Sequence, residues 1–158
     1  MQNATLVFLL KGNPVSKVLL GFKKIGLGQG KYTGFGGKVK PGEEVTEAAL
    51  RELTEETEVT VPDPKTLEYN AVLEFRFPHK PSWEQRVFVF CTHHWEGTPT
   101  ESNEMIPQWF SVEDIPYDQM WDDAHYWLPK VISGERFQAC FRYKGDNATV
   151  DSVKYIPL

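Results

Sequence analysis

Seven glycines crowd residues 26–42, and the stretch that follows, residues 45–57, contains neither glycine nor proline. The first segment has too much backbone freedom for a regular element and suits close approach of the main chain to a ligand. The second is rich in Ala, Leu, Glu and Arg, residues that lose little on entering a helix, so it reads as one. Gly34-Phe-Gly-Gly-Lys38 and Lys40-Pro-Gly-Glu43 lead straight into that helix.

Within the helix, Glu52, Glu55 and Glu56 stand at i, i+3 and i+4. At about 100° per residue they fall within an arc of about 100°. The arc borders the apolar residues Ala49, Leu50 and Leu53, with Glu56 nearest, and does not lie opposite them. Like charges at this spacing weaken a helix by roughly a few tenths of a kcal/mol per pair. Glutamates most often form a solvated face. Three of them converging at the edge of a buried face need counter-charge, and hard oxygen ligands at that density suit Mg²⁺ or Mn²⁺. Helix geometry leaves both readings open.

The remaining elements follow from pattern and punctuation. Residues 5–10 and 17–22 are apolar, β-prone runs around the turn signal Lys11-Gly-Asn-Pro14, a hairpin pattern. Strands are expected at 59–61, 69–77, 86–92 and 109–112, with a turn at 78–82. A single turn is expected at Ser111-Val-Glu-Asp114. Residues 123–133 predict a second helix, capped by Asp122 or Asp123 and kinked at Pro129. Residues 137–144 and 149–156 predict a hairpin around Gly145-Asp-Asn147. Many strands with two helices in this order predict an α/β chain: one domain over residues 1–158, a mixed β-sheet sandwiched between helices as α/β/α.

Charge is unevenly distributed. Net charge is −5, which argues against a general nucleic-acid-binding surface, yet the first acidic residue is Glu43 and seven lysines precede it. That lysine-rich part is a solvated face unless the fold brings it to an acidic cluster, in which case it suits an anionic ligand. No apolar run approaches the length of a membrane span. The N-terminal residues lack the features of a secretory leader, and Cys91 and Cys140 sit in apolar, strand-like runs that read as buried free thiols. The expected location is the cytoplasm. His93 and His94, adjacent on a strand, point to opposite faces and make poor joint metal ligands.

Gly37, five residues, Glu43, seven residues, then Arg51-Glu52-Leu53-Thr54-Glu55-Glu56, closed by the aliphatic Val59, resembles the Nudix box over residues 37–59. The one departure is Glu58, where the box has glycine. That glycine ends the helix in a left-handed turn, and another residue there costs about 1 kcal/mol, so a changed helix exit is expected, with every carboxylate of the site retained. The resemblance implies the Nudix fold and a hydrolase that opens phosphoanhydrides with Mg²⁺, Mn²⁺ being a possible substitute. It implies metal ligation by Glu52, Glu55, Glu56 and the Gly36 carbonyl, catalytic work by Glu52 and Glu56, orientation of Glu52 by Arg51, and a loop tied to the helix by Glu43. Lys23 and Lys38 are candidate phosphate contacts.

Further runs carry a finer likeness: Leu19-Leu-Gly-x-Lys-Lys24, Gly97-Thr-Pro-x-Glu-Ser102, Glu104-Met105, Trp109-Phe110, Met120-Trp121 and Tyr126-Trp127. They are similar to the oxidised-purine nucleoside triphosphatases, MutT homologues that release a monophosphate and pyrophosphate. By that likeness Glu104 is an outlying metal ligand or catalytic carboxylate. The base pocket is expected to comprise Leu27, Thr33, Phe75, Trp121, Asp123 and Trp127, aromatics stacking on a purine and Asp123 bonding its edge. Core packing is the competing reading of the two tryptophans. The relatives have asparagine in place of Thr33, and a second aspartate in place of Ala124. The substrate expected is a purine or oxidised-purine nucleoside triphosphate. The alternatives are another phosphoanhydride, such as a dinucleoside polyphosphate or nucleotide sugar, and a nucleotide-binding module without catalysis. The expected partner is a small-molecule nucleotide, with no nucleic-acid polymer, no membrane and a monomeric chain.

Overall fold

The computed structural model describes residues 1–158. Strands β1 (Gln2–Lys11) and β2 (Lys17–Lys23) form a hairpin that is joined only at its closed end, where Leu10 pairs with Val18 and Lys11 with Lys17. Beyond that point the two strands diverge like the arms of a fork. One edge of β2 is taken along its length by β6 (Met105–Ser111), and the other accepts the short β3 (Tyr32–Thr33) past the point where β1 leaves. The other arm, β1, runs parallel to β5 (Gln85–Thr92), which is antiparallel to β4 (Glu68–Arg76). β4 runs parallel to β7 (Phe137–Tyr143), and β8 (Val150–Pro157) closes that edge as an antiparallel partner. The eight strands make one mixed sheet.

Alternation along the central strands divides the core in two. Val7, Leu9, Leu19, Phe35 and Phe90 pack with Ala49 and Leu53 of α1 (Val45–Thr57) on one face. Phe8, Leu73, Val89, Ala139 and Phe141 pack with Ala124, Trp127, Leu128 and Val131 of α2 (Ala124–Ile132) on the other. The layers are α/β/α, the arrangement expected from the pattern of elements.

Four details differ from the sequence reading. Residues 59–61 form no strand; Thr60 makes an isolated bridge to Glu96, because the chain is leaving the helix and Val59 and Val61 serve the α1 core individually. β6 begins at Met105, four residues before the apolar signal, since β2 supplies a pairing edge that carries Pro107 and Gln108 along with it. Asp123 stands at the cap position of α2 but makes no capping hydrogen bond, its carboxylate being drawn inward, and the helix continues past Pro129. Both cysteines are free, as expected, but only Cys91 is fully buried; Cys140 is half-buried.

Candidate active site

After β3 the glycine-rich chain enters the fork between β1 and β2 and runs back along β1, with Phe35 bridged to Val7 and Lys38 to Ala4. Two glycines are required there for different reasons. A side chain at Gly36 would overlap the Thr5 carbonyl of β1, which is held in the sheet. One at Gly37 would come within 2.6 Å of the Glu52 carboxyl, so the first residue of the box is glycine because α1 brings its own glutamate against it. The Gly36 N–H donates to Oε1 of Glu56 at 2.7 Å. The Gly36 carbonyl accepts no hydrogen bond from the chain.

Arg51 joins this loop to the helix. Its Nε and Nη2 donate to the two carboxylate oxygens of Glu43 at 2.7 and 3.0 Å, a paired geometry that only a guanidinium supplies. Nη1 donates to Glu52 at 2.9 Å and more weakly to Glu55 at 3.3 Å, and Nη2 reaches the Lys38 carbonyl at 3.2 Å. The guanidinium, together with the Lys40 N–H, holds the Glu43 carboxyl down at about 2. Hydrogen bonding to Glu43, with Glu52 and Glu55 adding, pushes Arg51 itself up.

The end of α1 resolves the departure at Glu58. This residue adopts φ 65° and ψ 6°, the left-handed exit for which the box uses glycine, and its N–H donates to the Thr54 carbonyl at 2.8 Å. Two threonines brace the turn: Thr54 Oγ1 donates to the Val59 carbonyl at 2.8 Å, and the Val59 N–H donates to Thr57 Oγ1 at 3.2 Å. The expected change of helix exit does not occur: the left-handed turn is kept with the glycine replaced, because these hydrogen bonds hold it.

Glu56 is 3% exposed, the most buried of the acidic groups on α1. Burial pushes its carboxyl up to about 8; the Gly36 N–H opposes this, Glu52 and Glu104 reinforce it, and Lys23 opposes it. A carboxyl buried among like charges is stabilised in its ionised form by a nearby cation. The available donors are all oxygen: Glu52, Glu55, Glu56 and Glu104, with the free Gly36 carbonyl beside them. This set fits a hard divalent ion. No three carboxylates already converge on one point. Glu52 and Glu55 lean on Arg51, and a cation would draw them from it.

Glu56 lies between two recesses. One is a wholly polar cleft lined by Glu55, Glu56, Glu58, Glu101, Ser102, Asn103 and Glu104. The other is a cavity of about 240 Å³ whose lining includes Lys23, Gly36, Lys38 and Glu56. Its walls include all six of Leu27, Thr33, Phe75, Trp121, Asp123 and Trp127. Chain segments separated by about a hundred residues thus meet in one pocket. The lysines divide: Lys23, Lys31 and Lys38 line it, whereas Lys24 is turned away to Glu101 at 2.6 Å.

The aromatic residues are not equivalent. Trp121 is half-buried, edge-on to Phe77, Trp83 and Tyr143, and keeps indole surface in the cavity. Trp127 is 3% exposed, packs on Phe8, and its indole N–H donates to Asp123 Oδ2 at 2.7 Å. It serves mainly as core. Asp123 also accepts from the Tyr143 hydroxyl, so both carboxylate oxygens are engaged at a site 5% exposed. Burial raises Asp123, with both donors opposing, and burial and the adjacent carboxylate raise Tyr143. Tyr143 was not legible as part of the site: it lies in an alternating strand, like any core tyrosine. Gln85, Lys31 and Phe77, also in the walls, likewise carry no motif.

The NUDIX domain profile matches residues 2–131. The chain belongs to the Nudix family. It is 42% identical over 135 residues to the oxidized purine nucleoside triphosphate hydrolase of Danio rerio, covering 85% of this chain and 84% of that protein. The protein of the same name from Mus musculus is 41% identical over 140 residues, covering 89% and 85%. A MutT protein crystal structure from Bacillus halodurans superposes with a TM-score of 0.82 over 98% of this Nudix chain and 97% of that one, at 23% identity. The last likeness establishes the fold, and the first two extend family membership over most of the sequence.

Proposed function

We propose that this Nudix hydrolase cleaves a purine nucleoside triphosphate, oxidised purines included, to the monophosphate and pyrophosphate. The observation that carries this reading is the single cavity whose lining joins Lys23, Lys38 and Glu56 with Trp121, Phe75 and Leu27. A triphosphate needs cationic and metal-holding groups at one end and its base needs flat apolar surface at the other. The relatives from fish and mouse are named for that substrate class.

In this mechanism Glu52, Glu55, Glu56, Glu104 and the Gly36 carbonyl would hold the divalent metal, Mg²⁺ with Mn²⁺ as substitute. Bound there, such an ion neutralises phosphate oxygens and lowers the pKa of a water. Arg51 orients Glu52 and Glu55 and keeps the loop closed on the helix. Lys23 and Lys38 neutralise the phosphate chain. Glu52 or Glu56 takes up a proton from the attacking water at a carboxylate oxygen. Trp121, Phe75 and Leu27 cover the faces of the base, Trp127 stiffens the wall from behind, and Thr33 and Asp123 lie at its rim. No helix is long and apolar enough to cross a membrane. Residues 1–158 act as one domain and a monomer on free nucleotides in the cytoplasm, where free thiols are stable.

The test is a panel of purine, oxidised-purine and pyrimidine triphosphates, with nucleotide sugars and dinucleoside polyphosphates, assayed for pyrophosphate and phosphate release with Mg²⁺. Pyrophosphate release from purine triphosphates, lost in excess chelator, is expected. Preference for a nucleotide sugar, or turnover undiminished by chelator, would overturn the reading.

A further inference from the structure

The base end of the cavity holds few polar groups free to bond a ligand. Asp123 is committed at both oxygens, to Trp127 and Tyr143, and ties the start of α2 to β7. The Tyr32 hydroxyl is bonded to Gln108 at 3.3 Å. Three uncharged side chains remain without a partner in the chain, the Thr33 hydroxyl, the Trp121 indole N–H and the Gln85 amide, and of these only Thr33 and Gln85 can both donate and accept.

Gln85 is the first residue of β5 and stands directly across from Phe75 in the antiparallel register. Opposed residues share a face of the sheet, with Cβ atoms about 5 Å apart. Along β5 the next residue on that face is Val87, and Ala4 lies beside Val87 on β1; all of them line the cavity. Gln85 is half-buried among these apolar neighbours and donates and accepts no side-chain hydrogen bond. The amide keeps access to the cavity, so its donors and acceptor are free to bond a ligand there.

We infer that Gln85 is the residue that reads the edge of the base, with Thr33 as its helper and Asp123 as a support for the wall. The inference rests on the purine-triphosphate reading above. An amide presents one acceptor and two donors in a plane, a match for adjacent donor and acceptor groups on a purine edge. Rotation of the amide exchanges its donor and acceptor ends. The pocket therefore admits 6-oxo and 6-amino purines alike, where an acceptor fixed in place would choose between them.

Two substitutions test this, each read by titration of dGMP and dAMP without metal as well as by kcat/KM for the matching triphosphates. Gln85→Met keeps length and apolar contact and removes the edge bonds; it should weaken both purines roughly tenfold or more. Gln85→Glu keeps acceptors and removes the donors; on the 1,6 edge of the base it should spare dGMP, whose N1–H and 2-amino group both donate, and weaken dAMP, whose N1 only accepts. Inhibition by inorganic tripolyphosphate, which engages only the phosphate end, should not change in either variant. Unaltered binding in Gln85→Met, or equal losses of both purines in Gln85→Glu, would overturn the assignment of Gln85 alone. Wild-type protein that neither binds these purine nucleotides nor turns over their triphosphates would instead sink the substrate reading, and this inference with it.

Discussion

Replacing Glu58 by glycine should stabilise this protein. Glu58 is a non-glycine residue at φ 65°, held there because its N–H must reach the Thr54 carbonyl to close α1. A side chain in the left-handed region costs about 1–2 kcal/mol. Glycine removes that cost, offset by about 0.4–1 kcal/mol for the greater freedom it confers on the unfolded chain. Glu58 is exposed and faces the cleft that already contains Glu55, Glu56, Glu101 and Glu104, so loss of its charge adds only a small further gain. The net is about 0.5–1 kcal/mol, which for a chain of this length raises Tm by about 1–4 °C. Differential scanning calorimetry on the metal-free protein, with Glu58→Ala as control, measures it. Alanine keeps the strained backbone and removes the carboxylate, so it should leave Tm within about 1 °C of wild type. If alanine stabilises as much as glycine, charge and not backbone is responsible. If glycine lowers Tm, the braces from Thr54 and Thr57 do not hold the turn as argued.

Two further perturbations follow from the site. In the metal-free protein Glu56 is raised from 4.5 to about 8, so the fold favours its protonated form. That contribution is complete below the unfolded value and is lost as pH rises through the folded one, at up to about 1.4 kcal/mol per pH unit. Stability of Glu56→Gln should therefore overtake wild type between pH 5 and pH 8; parallel melting profiles across that range would refute the cause assigned. Mg²⁺ should raise the Tm of wild type more than that of the variant, in which hydrolysis should fall by at least a hundredfold. The paired glycines should separate fold from function: Gly36→Ala meets β1 backbone and should cost roughly 3 kcal/mol or more, while Gly37→Ala meets only the end of Glu52 and should cost activity with a small change in Tm. Similar melting temperatures for the two alanine variants would contradict that division.

What could be read from residue order was whatever depends on short, contiguous spacing. The helix at 45–57, the arc of Glu52, Glu55 and Glu56 and the box itself all lie within one stretch, where 3.6-residue periodicity and fixed intervals translate directly into geometry. The lysine-rich first part of the chain announced an anionic ligand only conditionally, because a charge count does not say which lysines turn inward. Folding sorted them, sending Lys23 and Lys38 to the cavity and Lys24 to Glu101. The close fit of Gly36 against Thr5, the knot of Asp123 with Tyr143, and Gln85 opposite Phe75 carry no local signature at all. Each depends on which strands pair and in which register, and register follows from burying the correct face of every strand at once. Segments as distant as β1, β4, β5 and α2 all contribute to the lining of the pocket, so the carboxylate cluster around Glu56 belongs to a local motif, and the shape of the pocket belongs to the packed sheet.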